Sequence, residues 1–238
     1  MNAEQLIEQS RPFLNYVVEW KEGLQPKPLA EIVNNQPENV AVISVDVING
    51  FCYEGALASP RVATIVEPIV TLFQKSYQAG VRNFILTQDT HPEDSVEFES
   101  YPPHCIRGTR ESETVDKFKE LPFFDQFQVL PKQSINSAIG TDLEPWLAAH
   151  PQVNTFIAVG DCTDLCTYQL AMHLKLRGNA RNEKVRVIVP EDCVDTYDLP
   201  VSVATEIGGA IPHDGDLLHY IFLYHMRLNG IEVVAKVE

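Results

Sequence analysis

Asp46, Lys132 and Cys166 are residue types that together can carry out nucleophilic catalysis. A carboxylate can take a thiol proton, while an ammonium group stabilises the thiolate and keeps the carboxylate ionised. Cys166 closes the stretch Gly160-Asp161-Cys162-Thr163-Asp164-Leu165-Cys166, directly after the apolar run from Val153 to Val159. Leu165, Tyr168, Leu170, Met172 and Leu174 then recur at helical spacing up to Gly178. That spacing predicts a strand, a turn and a helix that stops at the glycine. A thiol in the first helical turn meets unpaired backbone N–H groups and the positive end of the helix dipole, and both favour thiolate. On its own, the stretch also fits two small buried cysteines that only pack.

Asp89, His91 and His104 form a second set. An Asp-x-His pair on a loop can offer a carboxylate oxygen and an imidazole nitrogen to one metal ion. His104, held by the rigid pair Pro102-Pro103, adds a third ligand. Three protein ligands with open positions are the pattern of a catalytic rather than a structural site. The pair is common enough that this spacing alone also fits an ordinary loop.

These residues are far apart in the chain, so the elements between them must bring them together. Val40 to Val45 reads as a strand buried on both faces and ending at Asp46. Residues 61–79 suit a helix that stops at Gly80, and Val81 to Thr87 a second strand leading to Asp89 and His91. Phe127 to Leu130 is a third strand ahead of Lys132, and a helix capped at Thr141-Asp142 runs to Ala149. Val153 to Val159 is the fourth strand, Val185 to Val189 the fifth, and Ile231 to Ala235 the last, with helices over 200–209 and 214–228 between them. Strands alternating with helices predict an α/β fold, a three-layer α/β/α sandwich around a mostly parallel sheet of about six strands. In such a sheet the carboxyl ends share one edge, and that edge binds ligands. Asp46, Asp89, His91, Lys132, Cys162 and Cys166 all fall on it. His213, His219 and His225, in or near the last helix, read as packing or surface residues.

Composition narrows the remaining classes. With 45% hydrophobic residues, 238 residues can bury one sizeable core. A formal charge of −15 gives no basic face for nucleic acid. No apolar run reaches membrane-spanning length, and the polar start lacks a signal-peptide core, so a cytoplasmic protein without a membrane partner is expected. Five cysteines are an odd count that argues against a disulfide framework, and Cys162 with Cys166 has no second pair for a four-cysteine zinc site. No G-x-G-x-x-G follows the first strand, which argues against a dinucleotide-binding fold. Residues 3–20 read as an amphipathic helix interrupted or kinked at Pro12, with no chemistry of its own.

Taken in order, these motifs resemble the isochorismatase-like cysteine hydrolases, and within them the plant-type nicotinamidase branch. The resemblance lies in Asp46-Val47-Ile48-Asn49-Gly50-Phe51-Cys52, Asp89-Thr90-His91-Pro92, Tyr101-Pro102-Pro103-His104-Cys105, Lys132 and the run from Gly160 to Cys166. It covers about residues 40 to 200. It divides the chain into an N-terminal helical extension, 1–38, and a hydrolase domain, 39–238. The resemblance implies Cys166 as nucleophile, Asp46 as general base and Lys132 as third member. It further implies an oxyanion hole from the backbone N–H groups of Cys162 and Cys166, with a cis bond at Asp161–Cys162. Asp89, His91 and His104 match the ligands of a divalent metal, zinc in that branch, and Phe51 and Tyr101 match aromatics flanking a pyridine ring. Thr90 and Tyr101 stand where many microbial members have Trp, and a further downstream His is replaced by Glu93-Asp94-Ser95.

The expected activity is therefore hydrolysis of a small-molecule amide, nicotinamide, to nicotinate and ammonia through a cysteine thioester. A related hydrolase of another amide, ureido or carbamoyl compound is the first alternative, although it leaves His91 and His104 without a task. A non-catalytic module used for assembly is the second. A homo-oligomer is left open.

Overall fold

Six consecutive residues with no charge among them, Val40 to Val45, form a fully buried inner strand, β1 (Val40–Val45). In the computed structural model, which describes residues 1–238, alternate side chains of β1 enter opposite layers, as the two-residue strand period requires. Val40 and Val42 join Ile69, Phe73, Phe84 and Phe118 on one face. Ala41, Ile43 and Val45 join Leu143, Trp146, Leu170 and Leu174 on the other. Each aliphatic side chain so buried contributes roughly 1.5–3 kcal/mol.

The other strands are β2 (Asn83–Asp89), β3 (Phe127–Lys132), β4 (Thr155–Asp161), β5 (Arg186–Pro190), β6 (Val194–Asp195) and β7 (Glu232–Val234). Their order is β3-β2-β1-β4-β5-β7, with β6 added to the end of β4. Every pairing is parallel. The α/β class and the mostly parallel sheet expected from the sequence are therefore present. The helices are α1 (Ala3–Glu22), α2 (Leu29–Val33), α3 (Asn49–Cys52), α4 (Pro60–Ala63), α5 (Val66–Gln78), α6 (Asp116–Lys119), α7 (Leu143–Ala149), α8 (Cys166–Arg181), α9 (Val201–Ile207) and α10 (Gly215–Leu228).

The register aligns the carboxyl ends that matter. Val45 lies opposite Thr87 on β2 and Gly160 on β4, and Asp89 lies opposite Lys132. Asp46, one residue past β1, has φ 57°, a left-handed conformation that Asp tolerates better than most residues. Gly160 has φ 114°, and a Cβ there would lie 2.0 Å from the Val45 carbonyl oxygen. Gly160→Ala is therefore expected to cost at least about 3 kcal/mol, or to prevent folding, because strain and overlap meet a rigid strand. Thermal unfolding of the variant checks this.

Several boundaries differ from the sequence expectation for physical reasons. The helix after Cys166 does not stop at Gly178 but continues to Arg181, ending on Asn182 at φ 55°. Gly178 is needed for close approach, since a Cβ there would be 2.7 Å from Val185 Cγ2. The helix expected over 61–79 is two, α4 and α5, separated at Thr64-Ile65. Pro12 does not interrupt α1, which runs from Ala3 to Glu22 behind an Asn2–Gln5 capping box. Phe13, Tyr16 and Trp20 of α1 set their rings edge-on around Tyr224 of α10. Downstream, Lys27 pairs with Val237, placing residues 25–29 beside the chain end, and Leu29, Ile32 and Val33 enter the core.

Candidate active site

The parallel strand ends converge on a buried charged cluster. Lys132, fully buried at the end of β3, places Nζ 2.6 Å from both Asp46 Oδ2 and Asp89 Oδ1. The same Nζ is 3.7 Å from Cys166 Sγ and donates to the Ser134 carbonyl at 3.1 Å. Asp46 is fixed from its other side, its Oδ1 accepting from the Asp89 N–H at 2.8 Å. Carboxylate oxygens of Asp46 and Asp89 and the Cys166 sulfur all lie within 4.8 Å of one another. The three residues paired from sequence, Asp46, Lys132 and Cys166, are thus in contact.

Burial sets the proton positions in this cluster. It pushes the Cys166 thiol well above its ordinary value, Lys132 pulls it back only in part, and Asp46 and Asp89 add to the rise. Burial therefore opposes the thiolate that the helix end favours. Burial, with Asp89 adding to it, also lifts Asp46 to about 7 against Lys132. Burial disfavours the Lys132 ammonium, yet the surrounding Asp46, Cys166 and Asp89 more than offset it and hold its pKa well above the ordinary value. A neutral thiol beside a carboxylate poised near neutrality suits a proton handed back and forth between them.

Asp89 also faces the second set. His91 Nε2 is 3.6 Å from Asp89 Oδ1, and His104 Nε2 is 4.0 Å from Asp89 Oδ2. The two imidazoles lie side by side, ring centroids 4.8 Å apart, because the His91 backbone pairs with the loop at Cys105 and Arg107. His104 Nδ1 meets the Pro102 carbonyl at 2.8 Å, which leaves Nε2 free to ligate. Ser95 Oγ, where the resemblance lacks its further histidine, lies 3.4 Å from His91 Nδ1. His91 Nε2 is buried with no hydrogen-bond partner, and burial depresses the His104 pKa. A buried, unpartnered imidazole nitrogen beside a second imidazole and a carboxylate fits a divalent ion. Phe51 and Tyr101 flank His104 at ring distances of 5.7 and 6.2 Å. Phe98, not singled out from sequence, lies 5.5 Å from His91 and 5.6 Å from His104.

Cys166 is the first residue of α8, and the Asp161–Cys162 bond before it is cis. The N–H groups of Cys162 and Cys166 are not spent on any backbone acceptor, so both are available as donors. The turn between them is gripped by two histidines that the sequence suggested were packing or surface residues. His213, buried, sets Nε2 2.8 Å from Asp164 Oδ2 and stacks on Tyr197 at 3.9 Å. His219, buried, sets Nδ1 2.9 Å from Thr163 Oγ1. A usable signal was present for His219, which shares the buried stripe of Gly215, Leu223 and Met226 on α10. His213 sits in an irregular loop with no period to reveal it.

The isochorismatase domain family matches residues 40–206. The chain belongs to that family. It is 32% identical to Nicotinamidase 1 of Arabidopsis thaliana over 225 residues, covering 87% of this chain and 90% of that protein. The N-carbamoylsarcosine amidase of Thermoplasma acidophilum superposes with a TM-score of 0.62 at 24% identity, covering 82% of this chain and 95% of the other. The pyrazinamidase/nicotinamidase of Streptococcus mutans UA159 gives 0.64 at 22% identity, covering 82% and 99%. At these identities the two structural likenesses speak to the isochorismatase fold alone.

Proposed function

We propose that this protein is an amidohydrolase that converts nicotinamide to nicotinate and ammonia. The observation that carries the reading is Lys132 bridging Asp46 and Asp89 beside Cys166, which joins a nucleophile to a metal-type set in one buried site. The relationship to Nicotinamidase 1 supports the substrate. The Cys166 thiol passes its proton to Asp46 as the sulfur attacks the amide carbonyl. The resulting oxyanion accepts hydrogen bonds from the Cys162 and Cys166 N–H groups, each worth roughly 3–4 kcal/mol in the transition state. Asp46 returns the proton to the leaving nitrogen, the C–N bond breaks and ammonia departs. Water, deprotonated by Asp46, then cleaves the thioester and frees the acid and the thiol. Lys132 holds Asp46 in line throughout and stabilises the thiolate. Phe51 and Tyr101 hold the ring between aromatic faces.

Asp89, His91 and His104 would hold the metal, which we propose to be zinc from the mixed imidazole and carboxylate donors. When bound, it supplies a Lewis-acid contact for a ring nitrogen, a feature an aliphatic ureido or carbamoyl substrate lacks. Purified protein is expected to carry one divalent ion per chain, and chelation is expected to raise KM for nicotinamide by at least about tenfold. Elemental analysis combined with an ammonia assay tests this. Metal-free protein with an unchanged KM would favour the ureido or carbamoyl reading. Five free cysteines, all buried, and the absence of any helix long and apolar enough to cross a membrane are compatible with the cytoplasmic setting we propose.

A further inference from the structure

Residues 1–38 lie before the segment matched by the family, yet they reach towards the nucleophile turn. Lys21, at the end of α1, sets Nζ 2.7 Å from Glu191 Oε1 and lies over the Tyr220 ring at 5.2 Å. The same Glu191 oxygen is 3.5 Å from His219 Nε2. The other nitrogen of that imidazole, Nδ1, is 2.9 Å from Thr163 Oγ1. Thr163 is fully buried between the two N–H groups assigned to the oxyanion, and its own N–H donates to the Asp195 carbonyl at 3.0 Å. Glu191 Oε1 faces Nε2 across this contact, while Nδ1 pairs with the Thr163 hydroxyl and holds that rotor.

We infer that α1 is a positioning arm, acting on the Cys162–Cys166 turn through the relay Lys21–Glu191–His219–Thr163. Lys21 and His219 both meet the Glu191 carboxylate at Oε1. The His219 bond to Glu191 and the Lys21 charge together outweigh burial and depress the Glu191 pKa. Charge on Glu191 orients the imidazole, the imidazole holds Thr163, and Thr163 anchors the peptide that follows Cys162 and so the residue that carries that donor. α1 and α10 both lie outside residues 40–206, so the relay adds support from outside the matched segment. Shifts of the order of 1 Å in such a donor are enough to change turnover.

The kinetic arm of the test rests on the nicotinamide reading. Lys21→Met is expected to lower kcat about fivefold to tenfold, with KM within about twofold and most of the melting temperature retained. Lys21→Arg is expected to restore kcat. In a His219→Leu background, Lys21→Met is expected to add no further loss, since its effect passes through His219. An unchanged kcat per folded chain in Lys21→Met, or independent multiplying losses in the double variant, would overturn the relay. If wild-type protein does not turn over nicotinamide, the functional reading fails separately. The relay is then read from alkylation of Cys166 by iodoacetamide, expected to slow at least about threefold in Lys21→Met and recover in Lys21→Arg. Equal alkylation rates would contradict it.

Discussion

Cys166→Ala is expected to reduce ammonia release from nicotinamide to the level of the uncatalysed reaction, a loss of at least about 10⁴-fold, while the fold persists. The sulfur is the one thiol among the groups on Lys132, the others being two carboxylates held by the ammonium and a backbone carbonyl. Replacing the sulfhydryl by hydrogen removes little volume from a wall already formed by α8 and β4, so the melting temperature should stay within a few degrees. The buried cluster also loses a group whose ionisation it disfavours. Metal content should be unchanged, because Asp89, His91 and His104 remain. A variant that keeps its metal and its fold but no turnover separates chemistry from assembly. Retained turnover would assign the nucleophile elsewhere.

Lys132→Met is expected to show both a loss of activity and a loss of stability. The ammonium is fully buried and touches both carboxylates at 2.6 Å. Removing one partner of a buried ionic cluster costs about 3–5 kcal/mol, because the remaining charges keep their desolvation without their attraction. Here two carboxylates would face each other across the gap. Turnover is expected to fall by about 10³-fold or more, since Asp46 loses the contact that aligns it and the thiolate loses its counter-charge. Thermal unfolding and an ammonia assay on the same preparation report the two effects. Near-normal turnover in a folded variant would remove Lys132 from the mechanism.

The sheet was legible because strands buried on both faces leave continuous apolar runs, and Val40 to Val45 and Thr155 to Val159 are such runs. Asp46, Lys132 and Cys166 were legible because strand ends in a parallel sheet share an edge, whatever the length of chain between them. Local signals failed where tertiary packing decided the outcome. Gly178 looked like a helix stop, yet its missing side chain makes room for Val185. The helix end beside Cys166 suggested a thiolate, yet burial among carboxylates opposes it. The burial of His219 was legible from the stripe on α10, but the partners of His213 and His219 were not, because Asp164 and Thr163 lie about fifty residues earlier. Buried polar groups need partners, so Thr163 and Asp164 on a buried turn implied donors or acceptors elsewhere without saying which.

The central claim is most directly tested by the rate of ammonia release from nicotinamide, set beside that from an aliphatic N-carbamoyl amino acid, using purified metal-replete protein. The expected kcat/KM is at least about 100-fold higher for nicotinamide, because only the pyridine amide engages the aromatic and metal-type groups as well as Cys166. Ammonia from the N-carbamoyl compound and none from nicotinamide would contradict the account.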